Sequence, residues 1–262
     1  GGTSMSAPLI AGTALLLRQY ATERAGITNP SAALIRAMMA GGARSLTPGQ
    51  YGTTLFREIP AISPNSVEGW GQPDIRDTVH PRRRMVRLYD GIHPGAGQTN
   101  LFLIPVSVSH TPLDLVLAWT DYPATAGAGV TRVNDLDLLV TAPNGTVLYP
   151  NGGTERDGVN TIERLHLPVA MPGTYIVRVI GTDVPFPGGS AALYVRGGFD
   201  DPPLIVHAPV GDRIADGTDL TVRFRVQAVS PFASGEVFMN WASGDATGPT
   251  GVWQRALAEF EG

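Results

Sequence analysis

Ser4 lies in the run Gly1-Gly2-Thr3-Ser4-Met5-Ser6-Ala7-Pro8, which leads directly into Leu9-Ile10-Ala11-Gly12-Thr13-Ala14-Leu15-Leu16-Leu17. The glycines allow a tight turn and close approach by a substrate. The apolar stretch predicts a helix whose start aims free N–H groups and the positive end of its dipole at the serine. Nucleophilic catalysis needs that combination, because negative charge develops beside the attacked carbonyl. A serine at a helix start also serves as an N-cap, its commoner use.

A second group is acidic. Asp135 and Asp137 alternate on one predicted strand, so both side chains leave the same face. Two such carboxylates repel unless they are solvated or share a cation. Asp121, Asp157, Asn160 and Glu163 offer further oxygens of the kind calcium takes. These six residues are calcium candidates; the alternative is a solvated edge or a set of turn caps, which Asp and Asn also favour.

Composition narrows the rest. Cysteine is absent, which excludes disulfides and cysteine-ligated metal centres. Net charge is −4, and all 19 basic residues are arginine. No bulk attraction to nucleic acid or an anionic membrane follows from that balance. Pro81-Arg82-Arg83-Arg84 is the densest basic run, too short and isolated for a nucleic-acid site. The 32 glycines and 22 prolines favour many turns and short strands.

The elements that must position these groups read in order along the chain. A helix is expected from about Ser6 to Glu23, apolar on all faces until Arg18, hence buried with a solvated end. A second helix follows, with Asn29 as N-cap and Pro30 at its first position, closed by Gly41-Gly42. Gly69-Trp70-Gly71 leads into a short closing turn. From there the period becomes two. Strands are expected at Met85–Tyr89, Asn100–Val108, Leu113–Trp119, Leu136–Ala142, Thr146–Tyr149, Thr161–Leu167, Thr174–Ile180 and Ala191–Arg196. Eight short strands in that space suit a β-sandwich or jelly roll. Beyond Asp200-Asp201-Pro202-Pro203, alternation at Leu204–Pro209, Asp219–Gln227 and Gly235–Trp241 suggests part of an immunoglobulin-like sandwich.

Gly-Thr-Ser-Met-Ser-Ala-Pro before an apolar helix resembles the serine motif of the subtilisin-like peptidases, the subtilases. Leu115-Val116-Leu117-Ala118-Trp119-Thr120-Asp121-Tyr122-Pro123, Val133-Asn134-Asp135-Leu136-Asp137-Leu138 and Thr141-Ala142-Pro143-Asn144-Gly145-Thr146 extend the likeness. They resemble the C-terminal β-barrel of the oxidatively stable alkaline subtilases and, more loosely, the P-domain of kexin-like convertases. Gly69-Trp70-Gly71 is similar to the element that ends subtilase catalytic domains, and the resemblance places a domain boundary near Val79. The resemblance implies that Ser4 is the nucleophile, with its backbone N–H as one oxyanion donor. Subtilases place Asp, then His, then Ser along the chain. No Asp-Ser/Thr-Gly or His-Gly-Thr string occurs here, so the resemblance puts both partners upstream.

The expected architecture is therefore multidomain. Residues 1–80 read as the C-terminal remnant of an α/β subtilisin-like catalytic domain, 81–199 as an antiparallel β-sandwich or jelly roll, and 203–262 as a partial immunoglobulin-like β-sandwich. The expected function is that of part of a secreted serine endopeptidase acting on protein or peptide substrates. It would be extracellular, with structural calcium, and inactive as these residues alone. Nucleic-acid and membrane partners are not expected. A non-catalytic extracellular binding or adhesion protein, with Ser4 only a cap, is the alternative.

Overall fold

Residues 113–119 form a strand in which every position is buried, because this strand is covered on both faces. Leu113, Leu115, Leu117 and Trp119 point into one hydrophobic cluster, and Val116 and Ala118 into another. The rest of the fold follows from what fills the two sides. The computed structural model describes residues 2–199 apart from 54, 82–84, 109, 187 and 188, with the backbone of two further strands near the C-terminus.

Eight strands make the first cluster: β1 (Met85–Ile92), β2 (Thr99–Val106), β3 (Leu113–Trp119), β4 (Asp135–Thr141), β5 (Val147–Leu148), β6 (Ile162–Leu167), β7 (Gly173–Asp183) and β8 (Ala191–Gly197). They pair antiparallel in two sheets, ordered β1-β8-β3-β6 and β2-β7-β4-β5. Apart from β4 and β5, which share a sheet, successive strands cross between sheets, and the two strand orders are those of a jelly-roll β-sandwich. Ile104, Leu115, Leu138, Tyr175, Val177 and Leu193 meet between the sheets, each fully or almost fully buried. Burying a side chain of this size stabilises the fold by about 1.5–3 kcal/mol. All eight strands expected from alternation are present, with ends shifted by up to three residues.

Three helices belong with the second cluster: α1 (Thr3–Glu23), α2 (Ala32–Gly41) and α3 (Ile75–Val79). Leu34 and Met38 of α2 pack with Val116, Ala118, Ala192 and Tyr194 on the outer face of sheet β1-β8-β3-β6. Gly41 is required there, since a Cβ would overlap the Tyr194 ring. The packing therefore runs without a break across the boundary expected near Val79, and the described residues up to Phe199 belong to one compact unit.

Two local expectations are corrected. The N-cap of α2 is Ser31, not Asn29: its Oγ accepts from the Leu34 amide at 3.0 Å. The Asp90 carboxylate of β1 holds that cap by accepting from Ser31 N at 2.8 Å and Oγ at 2.6 Å. Asn29 instead accepts from Arg18. The second correction concerns α1, which is not buried all round. Only Leu17, Tyr20 and Ala21 are buried, whereas Met5, Leu9, Leu15 and Leu16 are more than half exposed. The described residues offer packing partners only to its C-terminal half.

A separate unit is described by an antiparallel pair, β9 (Val237–Met239) with β10 (Gln254–Ala256). β9 falls within the strand expected at Gly235–Trp241. The strands expected at Leu204–Pro209 and Asp219–Gln227 lie outside the described residues. Among the described residues no helix is long and apolar enough to cross a membrane.

Candidate functional site

Ser4 occupies the first turn of α1 and is exposed. Gly2 is the cap, with extended backbone at φ −178°, and its carbonyl accepts from Met5 N at 3.0 Å and Ser6 N at 3.2 Å. The Thr3 and Ser4 amides precede the first helical acceptor and point out of the helix. No side chain caps this end and no acidic residue stands in the first turn, so its positive pole is uncompensated. Pro8 lies inside the helix and has no N–H to give the Ser4 carbonyl four residues back. A Cβ at Gly2 would meet nothing within 4 Å.

No described hydrogen bond joins the Ser4 hydroxyl to a base. Nor do the histidines converge on it. His93 Nδ1 lies 2.9 Å from the Gly189 carbonyl, and the His80 ring packs edge-on to Tyr20. His110 sits at a turn with φ 62°, and His207 lies outside the described residues. His166 Nδ1 lies 2.7 Å from Asp114 Oδ1. An Asp–His contact of that length is what a serine hydrolase needs, but here the carboxylate has other duties. Arg164 Nη2 reaches Asp114 Oδ1 at 2.8 Å, and Arg196 Nε and Nη2 reach Oδ2 at 3.0 and 2.5 Å. Arg196 continues to Asp77 on α3, and Arg164 Nη1 to the Ala40 carbonyl at 3.0 Å. Burial would raise the Asp114 pKa; the His166 hydrogen bond and the two arginines outweigh it, holding the carboxyl well below the usual range. This network ties α2 and α3 to the sheet. Nothing in the sequence pattern marks it, because its members are dispersed from position 77 to position 196.

The six calcium candidates divide. Asp121 accepts from the amides of Tyr122, Val133 and Asn134 and closes the 121–134 loop. Asp157 accepts from Val159 N, Asn160 N, Asn160 Nδ2 and Asn151 Nδ2, an Asx turn that uses both oxygens and Asn160 as well. Asp137 and Glu163 differ, since each keeps a buried carboxylate oxygen with no partner; the buried Oδ1 of Asp135 lacks a hydrogen bond but is ion-paired with Arg132. Arg132 lies 3.2 Å from Asp135, Thr182 donates to Asp137, and the Leu138 amide donates to Glu163 at 2.6 Å. Burial above all, with the nearby carboxylates of Asp137, Asp157 and Asp135, pushes the Glu163 pKa up to about 9 against the Leu138 hydrogen bond. Burial is also the chief reason that Asp135 is raised. The orphaned oxygens are hard donors and suit calcium in kind. Among the described residues, no three His, Cys, Asp or Glu side chains converge as a metal-holding set, so neutral oxygens would have to complete one.

The chain matches no family model. It is 28% identical over 111 residues to the serine protease/ABC transporter B family protein tagA of Dictyostelium discoideum, covering 38% of this chain and 6% of that protein. The corresponding protein tagB of the same organism is 25% identical over 242 residues, covering 70% of this chain and 12% of its own length. The link to proteins named as serine proteases is thus distant, and the chain spans only a small part of them. Among solved structures, the periplasmic g-type lysozyme inhibitor PliG of Aeromonas hydrophila gives a TM-score of 0.22 at 8% identity, over 44% of this chain and 82% of that one. The VP2 subviral particle of infectious bursal disease virus gives 0.23 at 16%, over 53% and 37%. Likenesses of that size carry no argument.

Proposed function

We propose that these residues are part of a secreted subtilisin-like serine endopeptidase in which Ser4 is the nucleophile. The observation that carries this reading is the first turn of α1, where an exposed serine sits at an uncompensated helix pole with its own amide unengaged. The distant relatives named as serine proteases support it. Ser4 Oγ would attack the scissile carbonyl carbon and pass its proton to a histidine, while the Ser4 amide donates to the developing oxyanion. The amine would leave with that proton, and water would then release the acyl group from Ser4. The histidine, its aspartate and a second oxyanion donor would come from outside these 262 residues. The exposed apolar side of α1 is a surface on which such a neighbour could pack.

Calcium as a structural ion belongs to the same proposal. Its support is the two orphaned carboxylate oxygens of Asp137 and Glu163, which a cation would satisfy at the seam between β4 and β6, with Asp135 beside them paired to Arg132.

The competing reading is a non-catalytic extracellular binding protein built on the sandwich. The antiparallel sandwich of β1–β8 fits that reading equally well. One experiment separates the two: fluorophosphonate labelling of a polypeptide that extends upstream of Gly1. The peptidase reading expects labelling that Ser4→Ala abolishes, with none on the 262-residue chain alone. Labelling indifferent to that substitution, or absent from the extended polypeptide, would support the binding protein instead.

A further inference from the structure

We propose that the cleft between α3, the loop after α2 and the end of β6 binds a small ligand through an oxyanion group, carboxylate or phosphate. The cleft measures about 830 Å³, and four arginines line it: Arg44, Arg76, Arg164 and Arg196. That is within the range of small-molecule sites, roughly 300–1,000 Å³. Among the described residues two carboxylates share the lining, Asp74 and Asp77, and both are committed. Asp77 pairs with Arg196, and Asp74 caps α3 by accepting from the Asp77 amide at 3.0 Å. Asp114, beneath the lining, is taken by Arg164 and Arg196.

Two guanidinium groups remain without a carboxylate. Arg44 donates to the neutral Gln72 amide oxygen at 2.9 Å, and Arg76 has no side-chain partner among the described residues. Both are exposed at the cleft. Deeper in, the Arg164 side chain is nine-tenths buried, yet its Nε has no acceptor. A chain of net charge −4 has thus gathered an excess of cation in one concave place. Guanidinium forks pair best with planar or tetrahedral oxyanions, to which they give two parallel N–H bonds.

The test is isothermal titration of the 262-residue chain with inorganic phosphate and, separately, with citrate, at low ionic strength against a chloride blank. Saturable binding of either is expected, phosphate alone pointing to a phosphate ester and citrate alone to a carboxylate ligand. Arg76→Ala and Arg44→Ala should each weaken it about tenfold, the order expected of a lost charge-assisted pair. Because both side chains are exposed, the thermal midpoint of each variant should match the parent, which separates lost binding from lost folding. Arg178→Ala, on the opposite sheet, should leave binding unchanged. Binding no stronger than that of chloride, or equal weakening by Arg178→Ala, would overturn the proposal.

Discussion

Arg196 of β8 and Asp114 of β3 stand directly opposite one another in the sheet and are joined by two hydrogen bonds, Nε to Oδ2 at 3.0 Å and Nη2 to Oδ2 at 2.5 Å. Both side chains are almost completely buried, and the pair continues into α3 through Asp77 and into α2 through Arg164. Asp114→Ala would leave two guanidiniums largely buried without their shared carboxylate. A loss of about 3–5 kcal/mol is expected, as for other buried pairs broken on one side. Urea unfolding followed by circular dichroism would measure it.

Stability should also depend on pH through Asp114. Its folded pKa lies below the unfolded value of about 3.9, so its contribution is present above that value and is lost as pH falls through the folded pKa. Thermal midpoints should therefore fall with increasing acidity below about pH 4, and Asp114→Asn should flatten that part of the curve. A parent profile as flat as the variant's would count against the assignment.

Calcium should raise the thermal midpoint relative to a chelated sample. Glu163→Gln should remove that increment, yet cost little in chelator, because the buried Glu163 already holds its proton at neutral pH when no cation is near. Asp137→Asn should remove the increment as well. Equal midpoints with calcium and chelator in the parent chain would argue against a structural ion.

The sharing of one core by helices and sheet has its own consequence. Gly41→Ala forces a methyl group into the Tyr194 ring and should destabilise by about 1–3 kcal/mol, the usual effect of overpacking. Residues 81–199 expressed alone would expose Val116, Ala118, Ala192 and Tyr194. Gradual, non-cooperative unfolding of that piece is expected; a sharp transition would place an independent domain boundary near Val79.

Much of this was legible in the chain because it is local. Strict alternation and turn residues such as Pro143-Asn144-Gly145 mark each strand, since side-chain direction in a strand depends on adjacent positions alone. All eight sandwich strands were found that way. The placement of Ser4 at a helix start was legible too, although the helix begins earlier than its apolar residues suggest. The cap of α2 was not. Ser31 and Asn29 are equal candidates by type, and a carboxylate 59 positions away decided between them.

Local sequence thus dictates the inventory: a serine before a helix, alternating strands, acidic residues near one strand and no cysteine. Tertiary structure decided how those residues were used. It spent Asp121 and Asp157 on backbone amides while leaving oxygens of Asp137 and Glu163 buried and unsatisfied. It also joined Asp114, Arg164 and Arg196 into one network and covered both faces of β3. Each outcome depends on which strands become neighbours, and strand pairing joins positions whose separation along the chain leaves no local trace.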